Sequence, residues 1–125
     1  MRKFLRTLFV LTLLFLSFQS NAQITIGTVD AGPYTPGSSI AATFTIGNIS
    51  CIQQNNVFNL FLVSPAGVET RIGFYNGFYS TFVNGTIPAG TATGIGYKLR
   101  IKSTSPVLTS DDSTPFNIQA GTTVT

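Results

Sequence analysis

Four carboxylates, four cations, one thiol and no histidine are all that residues 23–125 offer for acid–base, nucleophilic or metal chemistry. Without histidine, a zinc triad and a Ser-His-Asp or Cys-His nucleophile are excluded. A glycosidase needs two carboxyl groups facing each other across the scissile bond. Asp30 and Glu69 fall on different segments from Asp111-Asp112, and adjacent aspartates on one loop cannot flank a bond. The chain is therefore expected to be non-enzymatic, with no catalytic residue and no cofactor. Asp111-Asp112 has oxygens a hard cation could use, but its spacing fits no calcium loop, so it reads as a solvated turn and no metal site is assigned. Cys51 is the single cysteine, which leaves no intrachain disulfide, and it reads as a buried thiol packed as a small hydrophobe.

Two features resemble ligand contacts. The run Phe74-Tyr75-Asn76-Gly77-Phe78-Tyr79 is dense in flat rings that could stack on sugars, with Tyr75, Phe78 and Tyr79 as the candidate contacts; core or interdomain packing is the default use of such rings. The alternating Lys98, Arg100 and Lys102 could meet an acidic glycan, although spaced charges on a strand more commonly mark an edge or a solvated face.

The elements that carry these residues all read as strands, because apolar residues alternate instead of recurring at three- and four-residue spacing. Residues 23–29 alternate around Ile24 and Ile26, and a turn-rich stretch with Gly32, Pro33, Pro36 and Gly37 follows. Residues 39–47 give the clearest strand, with Ile40, Ala42, Phe44 and Ile46 on one face. Residues 57–63 form a nearly continuous apolar strand that Pro65 and Gly67 terminate. Residues 68–75 and 78–84 are expected to form a hairpin, since Asn76-Gly77 accepts the positive φ angles of a two-residue type I′ turn. That pairing sets Phe74 opposite Tyr79 and Tyr75 opposite Phe78, on opposite faces. Residues 95–103 turn Tyr97, Leu99 and Ile101 inward, residues 106–114 read as a loop, and residues 115–119 close the domain with Phe116 and Ile118. About seven short strands at near-regular spacing predict an all-β antiparallel sandwich. Tyr97, near the start of the penultimate strand, is placed for a corner hydrogen bond.

The N-terminus carries a separate signal. Arg2, Lys3 and Arg6 precede an apolar stretch from Thr7 to Phe18, and Ser20 and Ala22 supply the small side chains of a cleavage site. The apolar stretch is shorter than the roughly 20 residues of a spanning helix. Residues 1–22 are thus expected to be a signal peptide cut between Ala22 and Gln23, with a sandwich domain over 23–120 and the start of a linker at 121–125. With three of the seven basic residues in the leader, the remainder is neutral. A neutral domain offers no electrostatic footprint for nucleic acid or for an acidic membrane. The expected location is secreted or cell-surface, with other domains of a longer chain, surface proteins or glycans as partners.

The stretch from Gly96 to Pro106, the Asp112-Ser113-Thr114-Pro115-Phe116-Asn117-Ile118 segment and the Ile87-Pro88-Ala89-Gly90 turn resemble a recurrent Ig-like domain of bacterial surface proteins and Ser/Thr-rich wall proteins. The resemblance covers the last third of the chain and implies an Ig-like or fibronectin-III-like sandwich serving as a spacer or adhesion module. The Ala22-Gln23 junction, low charge and abundant Thr, Asn and Gly are similar to Bacteroidetes surface and gliding-associated proteins, which implies type IX secretion in a longer chain. Asp112-Ser113-Thr114 resembles their O-glycosylation sequon, which implies modification at Ser113. The other function classes open to the chain are a carbohydrate-binding module and an accessory domain of an exported enzyme.

Overall fold

A computed structural model describes residues 23–48 and 51–121. The expected signal peptide, including Ala22, and residues 122–125 of the expected linker lie outside the described residues. Among the described residues there are eight strands and no α-helix: β1 (Gln23–Ile26), β2 (Ser39–Gly47), β3 (Val57–Val63), β4 (Glu69–Asn76), β5 (Phe82–Thr86), β6 (Gly94–Thr104), β7 (Val107–Thr109) and β8 (Phe116–Ile118). They form two antiparallel sheets. The smaller has the order β1-β2-β5, and the larger β4-β3-β6-β7, with β8 also paired to β6.

Alternation sets the layers. In β2, Ile40, Ala42 and Phe44 are buried while Ser39, Ala41, Thr43 and Thr45 are exposed. In β6, Tyr97, Leu99 and Ile101 face the same core from the opposite sheet. The Phe44 and Phe58 rings meet between the sheets with centroids 4.6 Å apart.

The expected hairpin across Asn76-Gly77 does not form. β4 pairs with β3 in the larger sheet, from Val57 opposite Asn76 to Val63 opposite Glu69, whereas β5 pairs with β2 in the smaller. Residues 77–81 carry the chain from one sheet to the other. Positive φ among the described residues occurs at Asn48 and at Gly32, Gly37, Gly67 and Gly96, not at Asn76 or Gly77. An Asn-Gly pair supplies only local turn propensity, and here burial decides: pairing β5 with β2 places Val83 and Ile87 in the core. Gly77 instead gives its N–H to the Asn56 carbonyl at 3.0 Å. Two further differences are local. Part of the expected loop 106–114 forms β7 against the end of β6, and Tyr34 in the turn-rich connector makes a parallel bridge to Ile118.

The sheets close on each other along both sides. On one, Gly73 approaches β5 so nearly that a Cβ there would lie 1.9 Å from the Asn84 carbonyl oxygen, so no side chain fits. On the other, Asp111 Oδ1 accepts the Ile26 N–H at 3.1 Å. The registers also fix the ends. Gln23 lies beside Gly47, at the end where β3 begins and β6 finishes, while Ile118 lies beside Gly94 at the far end. Residues 23 and 118 therefore sit at opposite ends of the sandwich.

Candidate functional site

The outer face of the larger sheet gathers all four cations of residues 23–125. Antiparallel register places them in rows, because residues paired across a ladder share a face. Phe74, Asn59 and Lys102 form one row across β4, β3 and β6, Arg71, Phe61 and Arg100 the next, and Glu69, Val63 and Lys98 the third. Val63 is buried, yet it lies outside the core cluster, as expected of an apolar residue roofed by its charged neighbours.

Arg100 is the hub. Its Nε donates to Asp112 Oδ1 at 2.7 Å and its Nη1 to Glu69 Oε1, while Lys102 Nζ donates to Glu69 Oε2 at 2.6 Å. Hydrogen bonds from Lys102 and then Arg100 hold the Glu69 carboxyl below its ordinary range, and the Arg100 bond does the same for Asp112. The Arg100 guanidinium is correspondingly raised, first by Asp112 and then by Glu69. The stripe on β6 was expected at an edge or on a solvated face. It is not at an edge, since β6 runs between β3 and the β7–β8 side; it lies on the outer, solvent side of the sheet, where Lys98, Arg100 and Lys102 are half-buried.

Both carboxyls have depressed folded-state pKa values. Their contribution to stability is complete above the unfolded carboxylate range and disappears as pH falls through the folded values. Acidification below about pH 4 is therefore expected to lower the melting temperature. In Glu69→Gln/Asp112→Asn that acid-dependent loss shrinks, as thermal melts recorded from pH 7 to pH 2 would show. An unchanged profile in the double variant would refute the assignment.

Beside this hub, Arg71 is held differently. Its Nε donates to Asn59 Oδ1 at 2.7 Å, and its guanidinium carbon lies 4.9 Å from the centroid of the Phe74 ring. Phe74 is 56 % exposed. Lys102 Nζ lies 5.1 Å from the Phe61 ring centroid. Neither Arg71 nor Lys98 forms an ion pair among the described residues.

The aromatic candidates separate. Tyr75 is half-buried, its ring parallel to Phe58 with centroids 6.3 Å apart, and it packs on the core. Phe78 is also half-buried against the core and braces Tyr79 at 4.2 Å. Only Tyr79, at 57 % exposure on the crossover 77–81, is open to solvent. The three therefore do not form one flat platform.

Cys51 is exposed, which corrects the expected buried thiol. It follows β2 on a polar loop, where no alternation draws it inward. Ser113 is 6 % exposed, accepts the Leu99 N–H at 2.8 Å and donates to the Thr114 carbonyl. Its hydroxyl is thus enclosed and in use on the folded chain, so a glycan there would have to be added before folding. Gln23 opens β1 and is exposed. Asp111 caps the β1 backbone, and no group of three metal-ligating side chains occurs among the described residues.

Tyr97 donates its hydroxyl to the Ala92 carbonyl at 2.5 Å, the corner bond its position predicts. Tyr97→Phe is expected to cost about 1 kcal/mol, measured by urea denaturation; no change in midpoint would refute a structural role for that bond.

Sequence reasoning missed Asn59, Phe61, Arg71 and Phe74 as a group. The signal was present, since alternation in β3 sends Asn59 and Phe61 outward between Phe58, Leu60 and Leu62. Joining them to Arg71 and Lys102 required the partners of β3, which periodicity does not give. No protein-family model and no curated protein matches this chain.

Proposed function

We infer that residues 23–120 are a non-catalytic Ig-like module of an exported bacterial surface protein, acting as a spacer or adhesion domain. The observation that carries the reading is the strand order together with Tyr97. The first, second and fifth strands share one sheet, the third, sixth and last strands share the other, and the sixth bears a tyrosine bonded to backbone five residues upstream. That order, with β4 beside β3, and the upstream bond of Tyr97 support the Ig-like or fibronectin-III-like reading, in which a tyrosine near the start of the penultimate strand makes a corner bond. The basic and apolar leader, ending in small residues before Gln23, supports export.

The carboxylates support a non-catalytic role. A general acid must keep its proton near working pH, which requires a raised pKa. Glu69 and Asp112 are shifted the other way and are bonded to cations. Placing residues 23 and 118 at opposite ends suits a module strung between neighbours.

Expression of the full chain in a Gram-negative host, followed by intact-mass measurement of each cell fraction, tests the export reading. A soluble exported product beginning at Gln23 supports it. A product that keeps residues 1–22 and stays in the cytoplasm or the membrane overturns it.

A further inference from the structure

We propose that the outer face of the larger sheet binds an anionic, carboxylate-bearing polysaccharide through Arg71, Phe74, Asn59 and Lys98. Charge balance is the starting point. Residues 23–125 are neutral in total, but all four cations lie on this face with only Glu69 and Asp112 as counter-charges. The other two carboxylates are turned elsewhere, Asp111 to the β1 backbone and Asp30 to the connector beside Tyr34. The face therefore carries an excess of two positive charges; Arg71 has no carboxylate partner among the described residues, and Lys98 shares the field of Asp112 with Arg100.

Arg71 is prepared for a carboxylate. The Nε–H bond to Asn59 and the Phe74 ring beneath it fix the plane of the guanidinium. Its two terminal amino groups make no hydrogen bond among the described residues, which leaves the fork that pairs with a carboxylate in two parallel bonds. The exposed part of Phe74 adds an apolar surface beside that fork on which a sugar ring can rest. Lys98 stands two strands away, roughly 10 Å across the sheet. Two positive charges so separated suit a polymer with repeated carboxylates better than a single small anion.

The same features disfavour other macromolecules. Protein interfaces exclude lysines and carboxylates from their centre, whereas the centre of this face is the Glu69–Arg100–Asp112 network. An excess of two charges is too small for a phosphate backbone, which is gripped through many contacts.

The proposal rests on the surface-protein reading only for where such a polymer would be met. The test uses protein made from the full chain and recovered from whichever fraction contains it, so failure of binding and failure of export are separate results. Biolayer interferometry would compare immobilised polygalacturonate, dextran, dextran sulfate and duplex DNA. The parent is expected to bind polygalacturonate, with salt weakening the interaction, and not dextran. Arg71→Gln is expected to weaken binding about tenfold, and Phe74→Ala about fivefold without any change of charge. Both residues are exposed, so both variants should melt close to the parent, and Tyr79→Ala should bind as the parent does. No binding by a folded parent overturns the proposal. So does binding that is as tight to dextran sulfate or DNA, binding indifferent to Phe74→Ala, or binding lost in Tyr79→Ala instead.

Discussion

Phe44→Asp is expected to unfold the domain at room temperature. Phe44 is 2 % exposed and central to β2, with its ring against Phe58 of the opposite sheet. The substitution removes a buried aromatic ring, a loss of about 3–5 kcal/mol in a core, and adds an unpaired carboxylate costing several kcal/mol more unless it takes up a proton. A domain of this size holds only about 5–15 kcal/mol in total. Circular dichroism and thermal melts against a Phe44→Leu control would show it. Retention of the parent melting temperature by the Asp variant would refute the inward placement of β2.

Asn56→Ala is expected to have the second-largest effect, about 3 kcal/mol or more. Asn56 is 1 % exposed. Its Oδ1 accepts the N–H groups of Thr104 and Ser105 at 3.0 and 2.9 Å, and its Nδ2 donates to the Gly77 carbonyl at 2.9 Å. One side chain thus fastens the start of β3, the turn after β6 and the crossover leaving β4. Alanine leaves two donors and one acceptor without their partner. At about 4–8 °C per kcal/mol, the melting temperature should fall by more than 10 °C. Asn56→Asp is also expected to destabilise, because the Gly77 carbonyl would then face a carboxylate. Either variant melting with the parent would refute the clasp.

Asn56 also shows where the sequence stopped being informative. It lies in a polar, irregular stretch, and its importance comes from three backbone groups on two segments separated from it by 21 to 49 residues. Residues obeying period two were legible: Ile40, Ala42 and Phe44 in β2, Tyr97, Leu99 and Ile101 in β6, and Phe116 and Ile118 in β8 all point inward as alternation requires. Alternation gives the face of a residue but not the neighbour of its strand. That is why the Asn76-Gly77 hairpin was a reasonable local expectation and still failed, and why the outward cations were noticed on β6 without the Arg71–Phe74 pair on β4. The crossover at 77–81 is a decision between sheets, taken by the burial of Val83 and Ile87 and not by turn propensity.

The parallel contact at Tyr34 has a mechanical consequence. The Tyr34 N–H bonds the Asn117 carbonyl at 2.9 Å, and the Gln119 N–H bonds the Tyr34 carbonyl at 2.8 Å. Tension drawing residues 23 and 121 apart would slide these two segments in opposite directions along their shared axis. It would also drag β1 lengthwise against β2 over the four residue pairs from Gln23–Gly47 to Ile26–Phe44. Bonds perpendicular to a pull share the load and fail together, whereas a hairpin peeled from its open end loses them singly. The arrangement of its first and last strands thus makes this sandwich resist stretching along its length more than it resists being peeled from the side.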